Sequence, residues 1–262
     1  MEVKTALTIG GSDPSGAGGI QGDLKVFSSY KVYGMAVITA ITSQNSRGVE
    51  DISVLSAELL EKQIRALHED LPVNSVKIGM VHSIENMEII SKLLDLLDIG
   101  NVVLDPVFLS TTGVSMLADG GIAKMIDILF PLADIVTPNL DEATRITGKK
   151  INNVDEMKEG AVAIKAMGPK YVLMKGGHLD ESATDILYDG RSFEIFGSKK
   201  IAGTEFRGTG CALSSAIAAG LSGGLTMPDS VKRAKEYVVS CIAKGYQNLG
   251  HGMGILNHSA LD

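Results

Sequence analysis

The run Gly208-Thr209-Gly210-Cys211 leads straight into the helix-forming stretch Ala212–Ala219. Glycines at a helix start leave backbone N–H groups bare, and the helix dipole favours an anion there. A phosphate would fit, with Cys211 beside it in a position that lowers a thiol pKa. A second glycine-rich run, Gly10-Gly11-Ser12-Asp13-Pro14-Ser15-Gly16-Ala17-Gly18-Gly19, follows the first apolar segment. It is not a dinucleotide fingerprint, because Gln21 stands where the third glycine should be, and the sequence has no Gly-Lys-Ser or Gly-Lys-Thr of a P-loop. Asp23, on the first turns of the next helix, reads by itself as a solvated carboxylate.

Four more stretches carry polar chemistry. Thr42-Ser43-Gln44-Asn45-Ser46 reads as a polar loop suited to hydrogen bonding a heterocycle. Asp105, directly after the apolar Val102–Leu104, is costly to bury unless it is paired, caps a helix or serves Mg²⁺. In Thr137-Pro138-Asn139-Leu140-Asp141-Glu142, Asn139 and Glu142 could form a capping box, or Glu142 could hold Mg²⁺ through water. Lys175, followed by Gly176 and Gly177, could reach a phosphate as a point charge.

The elements that must position these groups follow from periodicity. Strands are predicted near Thr5–Ile9, Ala36–Ile41, Val76–Ile78, Val102–Leu104, Asp134–Val136 and Tyr171–Met174. Helices are predicted near 19–30, 57–69, 84–97, 115–130, 140–147, 154–167, 211–221 and 228–247. Met87, Ile90, Leu94 and Leu97 share one stripe. Val231, Ala234, Val238, Cys241 and Ile242 share another, which makes Cys241 a packing residue. Asp189-Gly190-Arg191 reads as a hairpin turn. The alternation implies right-handed βαβ crossovers and a mainly parallel sheet covered on both faces. Every stretch above then falls at the C-terminal edge of that sheet, where open α/β folds bind ligands. An acidic pair, a lysine and an amide-lined helix end are the parts phosphoryl transfer needs.

Composition narrows the classes. The chain has 262 residues, 45% hydrophobic, with no linker or repeat, and reads as one domain over 1–262. Its net charge of −7 without a basic cluster speaks against nucleic acid. No apolar run spans a bilayer and no leader opens the chain, so the expected location is the cytoplasm. Two cysteines make no disulfide framework, and the five histidines show no metal-ligand spacing.

Taken in order, Gly10–Gly16, Ile38–Asn45, Val76-Lys77-Ile78-Gly79-Met80, Leu104-Asp105-Pro106-Val107, Thr137-Pro138-Asn139-Leu140, Lys175-Gly176-Gly177-His178 and Gly208–Cys211 resemble the hydroxymethylpyrimidine/phosphomethylpyrimidine kinases. These are the thiamine-pathway members of the ribokinase-like superfamily, and the motifs span nearly the whole chain. The resemblance implies a three-layer α/β fold, usually dimeric. It implies ATP-dependent phosphorylation of 4-amino-5-hydroxymethyl-2-methylpyrimidine, then of its monophosphate to the diphosphate. It places Gln44 against the pyrimidine, with Gly11, Asp23, Met80 and Val107 lining the pocket. It gives Asp105 and Glu142 to the Mg²⁺–phosphate group, Asn139 and Lys175 to the ATP phosphates, and Cys211 to the acceptor hydroxyl as base.

Two positions depart from the family pattern: Arg207 stands where histidine is usual, and Thr111-Thr112-Gly113 where Lys-Ser-Gly is usual. A cation gained and a cation lost near the phosphates would bear on the second phosphorylation. The runner-up is a pyridoxal/pyridoxine kinase. A silent ligand sensor is disfavoured by Asp105, Lys175 and Cys211 all being present. A thiol hydrolase would need His178 as its base.

Overall fold

A computed structural model describes residues 3–110, 112–177, 183–198 and 205–260. Its main sheet has the strand order β3-β2-β1-β4-β5-β6-β7-β8-β9. These are β1 (Thr5–Ser12), β2 (Tyr33–Asn45), β3 (Gly48–Val54), β4 (Val76–Ile78), β5 (Val102–Leu104), β6 (Ile135–Val136), β7 (Tyr171–Gly176), β8 (Ala183–Tyr188) and β9 (Phe193–Ser198). The run from β2 to β7 is parallel, and antiparallel strands close both ends.

Helices cover both faces because the strands are apolar on both sides. Leu7 and Ile9 of β1 face one core and Ala6 the other; Val102 and Leu104 of β5 part from Val103 in the same way. On the first face pack α2 (Ala57–His68), α3 (Ile84–Leu96), α4 (Gly121–Ile128), α5 (Leu140–Thr147) and α6 (Val154–Lys165). On the second pack α1 (Gly19–Ser29), α7 (Thr209–Ser222) and α8 (Met227–Ala243). Each fully buried Phe27 or Ile217 side chain contributes about 1.5–3 kcal/mol. From Ala212 to Ser222, α7 is buried all round, as a helix enclosed by protein must be. Cys241 lies in that core, as its stripe predicts. Among the described residues, no helix is long and apolar enough to cross a membrane.

Three sequence expectations need correction. Thr42–Asn45 is not a loop: β2 runs on past β1 and pairs antiparallel with β3. The connecting Ser46-Arg47 lacks the glycine or asparagine that announces a tight hairpin, so the pairing left no local signal. The helix predicted over 115–130 begins only at Gly121, because Leu109 and Ser115 bridge across a turn and Gly113 and Gly120 take φ of +82° and +76°. The last helix ends at Ala243 rather than at Gln247. The Asp189–Arg191 hairpin is as predicted, with Asp189 Oδ1 accepting the Arg191 and Ser192 N–H groups at 2.7 and 2.6 Å. Short strands β10 (Phe206–Arg207) and β11 (Gly254–Ile255) pair in parallel and set the approach to α7.

Candidate active site

Two glycine-rich turns meet at the C-terminal edge of the sheet. Asp13 shapes the first: its carboxylate accepts from the Ser15 N–H and hydroxyl at 2.8 and 2.7 Å and from the Gly18 N–H at 2.9 Å. Gly208 caps α7 at φ +81°, and a Cβ there would lie 1.8 Å from the Ala17 carbonyl oxygen. Only glycine allows both the left-handed conformation and this approach. No side chain caps α7, so the first N–H groups of Thr209, Gly210 and Cys211 are left for an anion. A Cβ on Gly210 would meet Lys175 Nζ at 3.2 Å, which brings an ammonium to the same helix end. A Cβ on Gly18 would lie 4.0 Å from Cys211 Sγ, so the first turn closes over the thiol.

Beside the helix end lies a charged cluster. Asp105 Oδ1 accepts from Lys175 Nζ at 2.8 Å and from the Thr137 hydroxyl at 3.1 Å; Ser214 Oγ lies 3.3 Å from Oδ2. Burial alone would raise the Asp105 pKa, but Lys175, Lys77 and these donors together hold it below the usual carboxylate range. Asp105 therefore caps no helix, and its oxygens already serve three donors. Asn139 and Glu142 form the capping box of α5, with Asn139 N donating to Glu142 Oε2 at 2.7 Å and Glu142 N to Asn139 Oδ1 at 2.8 Å. Glu142 Oε2 is 3.9 Å from Lys175 Nζ. Burial, with the charge of Asp105, pushes Glu142 up to about 7 against the pull of Lys175. Two buried carboxylates thus face one ammonium.

That imbalance is the fit for a hard cation. Among the described residues no group of three His, Cys, Asp or Glu side chains could hold a metal alone. Mg²⁺ commonly takes one or two carboxylates, substrate phosphates and water, which this donor set matches. Glu142 is the more open oxygen donor.

Gly11, Met80 and Val107 do come together: a Cβ on Gly11 would meet Met80 Sδ at 2.9 Å, and Met80 packs with Ala40, Met116, Ile52 and Val107. This small apolar cluster stands apart from the two main cores. Gln44 follows Ala40 and Thr42 in alternate positions along β2 and is half-buried. Asp23 does not line the pocket and is not solvated. It is 0% exposed and binds Thr8 Oγ1 at 2.6 Å, Ser215 Oγ at 2.6 Å and Lys77 Nζ at 2.8 Å. Helix α1 carries it inward, against β1, β4 and α7.

Two further expectations are corrected. Burial pushes the half-buried Cys211 up to about 11; Lys77 pulls the other way, and the charges of Asp105 and Asp23 add to the rise. The free site therefore holds a thiol, not a partial thiolate. Arg207 is not a cation of the phosphate cluster: it is 6% exposed and donates from Nη1 to the Asn45 carbonyl at 2.7 Å, tying α7's entry to the β2–β3 hairpin. Thr111 and His178 lie outside the described residues.

Sequence reasoning missed Lys77, Thr137, Ser214 and Ser215 as parts of the site. Only Lys77 had a usable signal, a charge at the centre of the three-residue buried strand Val76–Ile78.

A family model described as phosphomethylpyrimidine kinase matches residues 13–257. The chain is 40% identical over 252 residues to a hydroxymethylpyrimidine/phosphomethylpyrimidine kinase of Streptomyces coelicolor, covering 96% of this chain and 93% of that one. It is also 40% identical to the thiamine biosynthesis bifunctional protein ThiED of Geobacter sulfurreducens, over 97% of this chain and 52% of that protein. The structure superposes on an ADP complex of Bacillus subtilis pyridoxal kinase with a TM-score of 0.91 at 33% identity, over 99% of each chain.

Proposed function

The chain belongs to the phosphomethylpyrimidine kinase family, and on that premise we propose that it phosphorylates 4-amino-5-hydroxymethyl-2-methylpyrimidine with ATP and then converts the monophosphate to the diphosphate, in thiamine biosynthesis. The ribokinase-like fold, read as one domain over 1–262, supplies the frame. One observation carries the reading. The uncapped start of α7, with Lys175 at Gly210, lies between the Asp105–Glu142 carboxylates and the glycine turn that covers Cys211.

The residues divide the work by position. Gln44 hydrogen-bonds the pyrimidine edge, while Gly11, Met80 and Val107 shape an apolar slot for the ring. Asp23 acts from beneath the site and not by touching substrate. The N–H groups of Thr209, Gly210 and Cys211 hold the γ-phosphoryl oxygens, where fixed dipoles favour the charge that gathers in transfer. Lys175, kept charged by Asp105 and Glu142, reaches the ATP phosphates. The Asn139 Nδ2 group, which the cap does not use, is free to donate to the same phosphates. Glu142 would hold Mg²⁺, with Asp105 supporting it from behind. Mg²⁺ when bound supplies a hard positive charge that offsets the phosphate oxygens. As the hydroxymethyl oxygen bonds to phosphorus and the bond to ADP breaks, the hydroxyl proton passes to Cys211 Sγ in its thiolate form. Transfer is largely dissociative, so that proton leaves late and a small thiolate fraction suffices.

The reading includes a homodimer in the cytoplasm; sedimentation of the chain in solution checks the dimer. The test of function is a time course with ATP, Mg²⁺ and the pyrimidine alcohol, run in parallel with pyridoxal. Monophosphate followed by diphosphate is the expected result. No phosphorylated pyrimidine refutes the reading. Monophosphate that accumulates without diphosphate removes the second step. Faster turnover of pyridoxal makes the chain a pyridoxal kinase.

A further inference from the structure

Beneath the site lies a charged group that the reaction as drawn does not use. Lys77 is 1% exposed and Asp23 is 0% exposed, and their charged atoms are 2.8 Å apart. The pair is built into the edge of the sheet. A Cβ on Gly79 would lie 2.6 Å from Lys77 Nζ, so the glycine before Met80 makes room for the ammonium directly under the pocket floor. Asp23 is fixed by the Thr8 and Ser215 hydroxyls, each at 2.6 Å. Ser215 is one helical turn beyond Cys211 on α7, so the two share a face. The carboxylate thereby ties α1, β1, β4 and the start of α7 into one unit.

Such a pair is a poor device for stability alone. Desolvating two charges consumes most of what their attraction returns, and apolar residues of the same volume often serve as well. Its position suggests another use. Lys77 is the cation that acts most strongly on the Cys211 thiol, ahead of Lys175; Asp105 and Asp23 act against it. Asp13 reaches the same place through Gly18, whose Cβ position is 3.6 Å from Asp13 Oδ2 and 4.0 Å from Cys211 Sγ. Around Cys211 the carboxylates outnumber the cations; each lysine is held by a buried carboxylate, and Lys77 is the more deeply sealed of the two, its side chain 1% exposed against 12% for Lys175.

We propose that Lys77, locked by Asp23 and Ser215, is a positioning residue for Cys211: it supplies a fixed positive charge behind the thiol and holds the α7 start in register with the glycine turn. The proposal rests on the phosphotransfer reading, because it presumes that negative charge develops at Cys211. Lys77 touches neither substrate nor phosphate. It acts through the sulfur and through the helix end.

The test is built to separate this from a purely structural role. Lys77→Met alone would leave Asp23 buried and unpaired, so the double variant Lys77→Met/Asp23→Asn is the primary one; it removes both charges together. The direct readout is alkylation of Cys211 by iodoacetamide at pH 9, without ATP or pyrimidine, followed on the Cys211 peptide by mass spectrometry. Only the thiolate reacts, so loss of a cation that lowers the thiol pKa slows the rate, by about tenfold for one pKa unit. Asp23 opposes Lys77 at the sulfur, so only the surplus of the lysine is lost: the folded double variant is expected to alkylate about two- to threefold more slowly and to lose kcat, with KM for ATP unchanged within about twofold. A double variant that melts near the wild type and keeps both the alkylation rate and kcat overturns the proposal. Should the double variant not fold, Ser215→Ala keeps both charges and removes only the link to α7. A fall in kcat of at least about threefold with unchanged KM for ATP then supports the proposal, and unchanged kcat overturns it. Wild-type failure to phosphorylate the pyrimidine would sink the functional reading instead, while leaving the alkylation result free to stand.

Discussion

Replacing Glu142 by Gln should make the free protein more stable at alkaline pH while impairing catalysis. Glu142 sits at the start of α5 with its carboxyl buried beside Asp105, and this raises its pKa from 4.5 to about 7. The native state therefore holds the Glu142 proton more tightly than the unfolded chain does. The sign follows: the contribution to stability is complete below pH 4.5 and is lost as pH rises through about 7. The shift is about 2.5 units, and at 1.36 kcal/mol per unit the native state at pH 8 gives up about 3 kcal/mol to keep this group charged. Glutamine has nearly the same volume and retains an oxygen for the Asn139 N–H, so the α5 cap survives. At about 2–4 °C per kcal/mol for a chain of this size, the variant should melt about 6–12 °C higher than the wild type at pH 8, and within about 2 °C of it at pH 4.5. Calorimetry across that pH range measures the difference. A variant that melts no higher at pH 8, or whose gain is the same at both ends of the range, refutes the reasoning. Kinase activity should fall together with the rise in stability, because the charge that strains the free site is the one that serves the cation.

Two other outcomes follow from the site. Removing the Arg207 side chain deletes its 2.7 Å bond to the Asn45 carbonyl, one residue from Gln44. A charge-assisted bond of about 1.5–3 kcal/mol holds that hairpin, so Arg207→Ala should raise KM for the pyrimidine by about 10–100-fold with KM for ATP within about twofold; equal rises in both would disprove the tether. Burial raises Cys211 to about 11 in the free enzyme, so its thiolate is scarce at neutral pH. If that thiolate accepts the hydroxyl proton, kcat/KM for the pyrimidine alcohol climbs about tenfold per pH unit between pH 8 and 10; a flat profile there removes Cys211 as the base.

Much of this architecture was legible in the sequence because its signals are local. A strand such as Val102–Leu104 shows itself in three apolar residues followed by an aspartate, and Asp105 duly stands at the edge of the sheet. The Asn139–Glu142 capping box closes within four residues, so its pattern could be read directly, and it formed. The glycine turn before Cys211 showed itself as a glycine pair before a helix, and Gly208 takes the left-handed conformation that such a start allows. Where the local signal failed, the outcome depended on a partner elsewhere. The β2–β3 hairpin has no turn signal at Ser46-Arg47; the 250–254 segment backs it instead, with the Gly252 N–H donating to Ser46 Oγ at 3.1 Å.

By itself, then, the sequence determined the layered α/β frame and most of the residues gathered at its C-terminal edge, since periodicity and strand-end motifs need only a few neighbours. The tertiary structure alone decided what state and duty those residues have. Asp23 and Ser215 are 192 positions apart, Arg207 and Asn45 are 162 apart, and Lys175 and Asp105 are 70 apart. Whether Asp23 is solvated or sealed, whether Arg207 meets a phosphate or a hairpin, and whether Cys211 and Glu142 carry protons all turn on those long-range pairings. The physical reason is that ionisation and ion pairing respond to burial and to the distance between charges, and only the folded chain sets either one.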